Sequence, residues 1–416
     1  MREEIKECNE LIKTDEVPNG WKKKRIVDIC NLSSGSTPSR KRKENFAGNI
    51  LWVTSGELKD KYLSSTKEMI NNQAVIDSGL KLYKPGTIII AMYGLEADGI
   101  RGTCSIAVKE CTISQACMAF TDFKEMDPEY FYYWYKNNGN KIGLRYAQGT
   151  KQQNLCSDLV GRISMIFPPV CEQRKIIKYL ATLDEIIDKT YDLICYKYTQ
   201  KQWLMQNLLT GKKRLSGFRD EWKTERLKIF LEEMTEKNKL AIISDVKSIS
   251  NKSGFINQSE QFGKNVASSD LSNYKIVRKG YIAYNPSRIN VGSIALYTEE
   301  TSGVISPMYV VLKTKYGLHE KYFMYYVKTE EFNQRMKSQL SGSVRETLKF
   351  NDLCAIKIDL PSYNEQQQIV AVLETADKEI DLLEQKLDLI KQEKKAIMQL
   401  LLTGIVRVPQ NKKGGF

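Results

Sequence analysis

The chain repeats itself. Residues 168–211 (PPVCEQRKIIKYLATLDEIIDKTYDLICYKYTQKQWLMQNLLTG) lie over residues 361–404 (PSYNEQQQIVAVLETADKEIDLLEQKLDLIKQEKKAIMQLLLTG) without a gap, at an offset of 193 residues, with 16 of 44 positions identical. The identities include Glu172-Gln173 with Glu365-Gln366, Asp184 with Asp377, Asp188 with Asp381, Met205-Gln206 with Met398-Gln399, and the closing Leu-Leu-Thr-Gly. A duplication this clear restricts the fold: the chain is two copies of one plan, not one large domain or an assortment of unrelated ones.

The copies extend upstream with a drifting offset. Gly149-Thr150 meets Gly342-Ser343, Tyr130-Phe131-x-Tyr133 meets Tyr322-Phe323-x-Tyr325, Pro85-Gly86 meets Lys279-Gly280, and Trp21 with Arg25 meets Trp222 with Arg226. The parts that keep register are helical, and those that drift differ in loop length. This predicts an N-terminal arm (1–20), a globular domain (21–167), a helical region (168–211), a second globular domain (212–360), and a second helical region with a tail (361–416).

Within the helical regions apolar residues step by four and three. The first carries Ile176, Leu180, Leu183, Ile187, Ile194, Leu204 and Leu208; the second carries Ile369, Leu373, Ile380, Leu383, Leu387, Ile390, Ile397 and Leu401. Thr190, Lys197, Lys201 and Lys394 occupy further positions of the same seam. A heptad seam of about five repeats predicts a coiled coil. Proline opens each region, and Gly211 or Gly404 closes it. Each seam has two candidate partners: the other copy in the same chain, which matches it in length and register, or a second chain. The expected fold is α+β, with two similar globular domains separated by two long antiparallel coiled-coil helices in a pseudo-twofold internal repeat.

Composition narrows the chemistry. Thr87–Met92 is among the longest apolar runs, too short to cross a bilayer, and residues 1–16 lack the apolar core of a signal peptide. The nine cysteines form no C-x-x-C pair and His319 is the single histidine, so a zinc ribbon, a Cys2His2 finger or a multi-histidine centre is not expected. A reducing cytoplasm fits the cysteine usage. No G-x-G and no P-loop pattern occurs. Asn285-Pro286-Ser287-Arg288 lacks the second proline and aromatic of an amino-methyltransferase loop and reads as a turn. Asp245-Val246-Lys247 has no Pro-Asp partner to make a nuclease site. No catalytic residue and no metal ligand is assigned. Tyr130–Tyr135, a candidate platform for stacking on bases, recurs at Tyr322–Tyr326 and reads as core, on a helix begun by Asp127-Pro128. His319 aligns with Asp127 and reads as a cap or a surface residue.

The charge of +13 suits a polyanion partner. Residues able to grip phosphates or base edges fall in loops: Arg40, Lys41, Arg42 and Lys43 after the Ser33–Pro38 turn; Lys151, Gln152, Gln153 and Asn154; and Asn285, Arg288, Asn290 and Arg345. Arginine suits guanine, asparagine and glutamine suit adenine, and lysine holds phosphate. Plain solvated surface is the competing reading for each.

This layout resembles the specificity (S) subunit of type I restriction–modification systems over nearly the whole chain. The resemblance rests on Pro18-Asn19-Gly20-Trp21, the Ser34-Gly35-Ser36-Thr37-Pro38 turn, Pro85-Gly86 before an apolar strand, the two Glu-Gln pairs and the two Leu-Leu-Thr-Gly closures. The second half departs in having Phe218-Arg219-Asp220-Glu221-Trp222 and no clear Ser-Gly-x-Thr-Pro turn. The resemblance implies a non-catalytic DNA-recognition subunit. Each domain would read half of a bipartite, asymmetric target in double-stranded DNA, while the helices set the gap and dock two methyltransferase subunits. Motor/endonuclease subunits would join that complex. S-adenosylmethionine, ATP and Mg would belong to the partner subunits, with no cofactor in this chain and no membrane partner. The rival reading is a coiled-coil scaffold or adaptor that binds proteins.

Overall fold

The computed structural model describes residues 17–149, 153–251, 253–258, 270–340 and 347–408. The chain divides into two compact units: Met1–Thr190 together with Lys386–Phe416, and Tyr191–Gln385.

The first unit contains β1 (Lys22–Arg25), β2 (Asn31–Ser34), β3 (Ile50–Val53), β4 (Tyr62–Leu63), β5 (Met69–Ile70), β6 (Ile88–Ala91), β7 (Cys104–Ala107), β8 (Cys111–Ile113), β9 (Cys117–Thr121) and β10 (Ser164–Phe167). They form a five-stranded sheet in the order β2-β9-β6-β7-β4, a three-stranded sheet β5-β3-β8, and the pair β1-β10. β6 is an unbroken run of three isoleucines and an alanine. All four are buried, with antiparallel neighbours on both sides, as β-branched residues in a central strand should be. Helix α1 (Pro128–Tyr146) packs on this sheet. Asp127 caps it by accepting from the Glu129 amide, and proline takes its first turn. Its whole Tyr130–Tyr135 stretch is buried, with Phe131 4.9 Å from Phe120 between ring centres. The aromatic cluster is core, as the repeat predicts.

The second unit repeats the plan with β11 (Lys223–Arg226), β12 (Leu231–Glu233), β13 (Val246–Ser250), β14 (Gly254–Asn257), β15 (Lys275–Val277), β16 (Ile282–Tyr284), β17 (Ile294–Leu296), β18 (Gly303–Ile305), β19 (Val310–Thr314) and β20 (Lys357–Leu360). Its sheets run β12-β19-β16-β17 and β14-β13-β18-β15, with the pair β11-β20. The core helix here is α2 (Glu320–Tyr326). His319 caps it, with Nδ1 accepting from the Lys321 amide at 3.2 Å, the role Asp127 plays in the first unit. The aligned Pro85-Gly86 and Lys279-Gly280 are also equivalent. Gly86 (φ +88°) and Gly280 (φ +86°) each sit third in a turn closed by a backbone bond, Thr87 to Lys84 and Tyr281 to Arg278. That is the type II position that favours glycine.

Two long helices, Val170–Leu208 and Tyr363–Thr403, are divided between the units, so each unit holds part of both. In the first unit Asp184 meets Lys394. In the second, Lys201 meets Asp377, Lys197 meets Glu379 at 2.8 Å, and Tyr198 donates to Glu384 at 2.9 Å. From Lys197–Glu379 to Lys201–Asp377 in the second unit, and from Glu172–Arg407 to Asp184–Lys394 in the first, numbers rise on one side as they fall on the other, so the pairing within each unit is antiparallel. None of the apolar seam residues named above is exposed. The seam lysines each meet a carboxylate from the facing helix, and polar groups of this kind fix register.

Candidate nucleic-acid interface

In the first unit the polar turn after β2 is held tightly. A Cβ on Gly35 would stand 1.9 Å from the Ile113 carbonyl oxygen, so only glycine fits. The Ser36 amide donates to that same carbonyl, and the Trp52 indole donates to the Ser36 carbonyl at 3.2 Å. Arg40 then turns back to grip Glu68 through two bonds of 3.0 and 2.8 Å, its guanidinium stacked 4.8 Å from Phe46 and 5.4 Å from Trp52. That bond to Arg40 holds the Glu68 carboxyl below the usual range. Arg42 reaches Asp77 at 3.4 Å. The four adjacent cations therefore separate into two kinds. Arg40 and Arg42 tie the loop to its own domain, whereas Lys41 and Lys43 are exposed and unpaired among the described residues.

Lys151 and Gln152 lie outside the described residues. Gln153 is engaged at both ends: its amide donates to Glu96 at 2.9 Å and its side-chain oxygen accepts from Arg101 at 2.7 Å. Asn154 pairs through its backbone with Gln148 in both directions, leaving a buried side-chain oxygen with no partner among the described residues.

In the second unit Asn285 is buried, and its side-chain oxygen accepts from the Ser287 amide at 3.0 Å. It shapes the loop, as its reading as a turn predicts. Arg288 and Asn290 stand exposed on the same loop, before Gly292 at φ +90°. Arg345 lies outside the described residues. The structure thus brings Arg288 and Asn290 together in one unit and Lys41 and Lys43 in the other.

Each globular part is fastened to its helices by the same set of bonds. Gln173 accepts from the Asp127 amide at 2.8 Å and donates to the Glu125 and Pro168 carbonyls at 2.9 and 2.8 Å. Gln366 accepts from the His319 amide at 2.9 Å and donates to the Gly317 and Pro361 carbonyls at 2.9 and 3.1 Å. Buried Glu172 is clamped by Arg407, which lies over Trp21; buried Glu365 is clamped by Arg214, which lies over Trp222. Tyr133 donates to Asp184 at 2.6 Å, and Tyr325 donates to Asp377 at 2.6 Å. Burial, then the neighbouring carboxylate, pushes both phenols up, which keeps them protonated as donors. The Arg214/Arg407 clamp went unpredicted. Its signal was the same offset of 193, three residues past each closing glycine.

Lys247, of the Asp245-Val246-Lys247 triplet, is buried and paired with Asp245 at 3.1 Å, Glu299 at 2.8 Å and Asn257 at 2.9 Å. Among the described residues no group of three or more His, Cys, Asp or Glu side chains could hold a metal ion, and no helix is long and apolar enough to cross a membrane.

Comparison with known proteins gives a consistent result. Residues 18–194 and 219–392 each match the family described as type I restriction modification DNA specificity domain. The type I restriction enzyme MjaVIII specificity subunit of Methanocaldococcus jannaschii is 22% identical over 94% of each chain. The MjaIX specificity subunit of the same organism is 28% identical over 41% of this chain, a match that spans 40% of that protein. The crystal structure of the type I restriction–modification S subunit from M. genitalium superposes with a TM-score of 0.51 at 15% identity, covering 93% of this chain and 96% of that one. At that identity the likeness speaks to a shared fold.

Proposed function

Because this chain belongs to the family of type I restriction–modification DNA specificity subunits, we propose that each unit reads one half of a bipartite target in double-stranded DNA. The observation that carries this reading is duplication with divergence. The two units share a four-strand run, β2-β9-β6-β7 and β12-β19-β16-β17, and the same helix caps and fastenings, yet expose different side chains: Lys41 and Lys43 on one, Arg288 and Asn290 on the other. Two scaffolds alike in plan and unlike in their loops suit an asymmetric target. In this reading the lysines hold phosphates, and Arg288 with Asn290 contacts base edges in the major groove.

The paired helices would set the gap between half-sites and dock two methyltransferase subunits, with motor/endonuclease subunits joining through the complex. S-adenosylmethionine, ATP and Mg would be bound by those partners, and this chain would supply address without catalysis, in the cytoplasm.

Methylation mapping of the host genome, with and without this chain, is the direct test. A split motif with two different halves that vanishes on deletion is expected; an unchanged methylation pattern would reject the reading. With the mapped site in hand, Arg288→Ala should weaken binding at one half-site by about 1–3 kcal/mol. Equal weakening on random DNA would reduce Arg288 to a phosphate-binding residue. Salt separates this reading from a protein scaffold: engaging six or more phosphates costs about three orders of magnitude in affinity between 50 and 200 mM, whereas a flat response would favour the scaffold.

A further inference from the structure

Two pairs of positions are identical in the repeat: Lys201 with Lys394, polar residues inside an apolar seam, and Asp184 with Asp377, which flank it. In the first unit Asp184 uses both carboxylate oxygens: one takes the Lys394 ammonium of the facing long helix, and the other takes the Tyr133 hydroxyl of α1 at 2.6 Å. In the second unit Asp377 does the same with Lys201 and with Tyr325 of α2, again at 2.6 Å. Each lysine also lies over the ring of the tyrosine that shares its carboxylate, at 5.7 and 5.9 Å. Three elements, two helices and the core helix of the globular part, therefore meet at one carboxylate in each unit. Aspartate and lysine stand 17 residues apart on both long helices, Asp184 to Lys201 and Asp377 to Lys394.

Apolar packing is non-directional and tolerates small rotations, but a phenol donating to an ionised carboxylate has a preferred distance and angle. Because the same carboxylate is anchored by a lysine of the facing helix, a shift in helix register moves the acceptor offered to the tyrosine. Resting on the DNA-specificity reading above, we propose that the triads Tyr133–Asp184–Lys394 and Tyr325–Asp377–Lys201 are positioning devices. They convert helix register into the pose of each reading domain, and selectivity for the gap between half-sites resides in them, apart from the base contacts. These tyrosines touch no DNA in this scheme; they act through the domain they orient.

The test uses the full chain in complex with its methyltransferase partners, and duplexes carrying the mapped site with its natural gap or one base pair more or fewer. Tyr133→Phe and Tyr325→Phe keep the ring and remove only the hydroxyl. Each should reduce preference for the natural gap about tenfold, while preference against a base change within either half-site stays within twofold. Should a Tyr→Phe variant fail to accumulate, Asp184→Asn or Asp377→Asn is read against the same two ratios. Unchanged gap preference in a folded variant overturns the proposal, and so does a parallel fall in base preference, which marks general disorder. If the wild-type complex shows no sequence preference at all, the specificity reading itself falls, and the triad proposal with it.

Discussion

Removing Arg214 should expose how the second unit is held together. The Glu365 side chain is 1% exposed and accepts two bonds from Arg214, at 2.6 and 2.7 Å, while the Arg214 side chain is 26% exposed. Arg214→Met strands the buried carboxylate and removes the guanidinium that lies over Trp222. Breaking a buried pair from one side costs about 3–5 kcal/mol. Partial access of water to the arginine places this case at the low end, about 3 kcal/mol. The double variant Arg214→Met/Glu365→Met removes the stranded charge as well and should lie within about 1 kcal/mol of wild type, because an apolar pair of similar volume is close to neutral. Urea unfolding followed by circular dichroism and tryptophan fluorescence reads both; at about 2 kcal/mol per molar urea the single variant shifts its midpoint by roughly 1.5 M. Arg407→Met breaks the matching clamp of the first unit and so identifies which transition belongs to which unit. A destabilisation under about 1 kcal/mol in Arg214→Met, or a double variant no more stable than the single, would refute the reasoning.

Three further outcomes are expected. Gly35→Ala forces a Cβ against the Ile113 carbonyl oxygen and should destabilise the first unit by at least about 1–3 kcal/mol, measured by thermal unfolding; a neutral effect would mean the turn after β2 relaxes freely. Lys41→Gln with Lys43→Gln should lower the slope of log affinity against log salt by about 0.9 for each phosphate that is no longer neutralised. Arg40→Gln, whose partner is Glu68, should leave that slope alone, and equal slopes for the two sets would dissolve the distinction between them. Burial alone would raise the Asp359 carboxyl, but bonds from Thr224 and Arg335 hold it below the usual aspartate range. Its contribution is therefore complete above the unfolded pKa, about 3.9, and is lost as pH falls through the lower folded value. Asp359→Asn should flatten that part of the acid limb in unfolding measured from pH 6 to pH 2, and an unchanged limb would count against the pairing.

The duplication, the seam and the buried aromatic cluster were legible because each leaves a periodic or repeated trace. Ile176 and Leu180 recur as Ile369 and Leu373, and Tyr130-Phe131 recurs as Tyr322-Phe323. The cap made by His319 was legible only through its alignment with Asp127. The candidate interface was less so. Arg40 and Lys41 are indistinguishable as neighbouring cations, and what separates them is Glu68, 28 residues away in sequence, at the edge of a different strand. Asn285 and Asn290 look alike as loop asparagines, yet one is buried in its own turn. Long-range pairing decides which polar residue remains available, and no local pattern records it. The Asp184 and Lys201 positions show the reverse case: the signal was present as polar identity within and beside an apolar stripe, and its meaning required the third partner, Tyr133 or Tyr325.

The division of the chain into Tyr191–Gln385 and a unit built from both ends has a consequence during synthesis. The unit numbered second is one uninterrupted stretch and can close as soon as it leaves the ribosome. The unit begun first cannot. Its Glu172 waits for Arg407, its Asp184 for Lys394, and the carbonyl of Asn19 for the Arg407 guanidinium. At about 5–20 residues per second, the stretch in between imposes a delay of roughly ten to forty seconds. For that interval the first unit holds its Gln173 bonds and its Tyr133–Asp184 bond but lacks the Arg407 clamp and the Lys394 pair, so the earliest-made half of the molecule is the last to be finished.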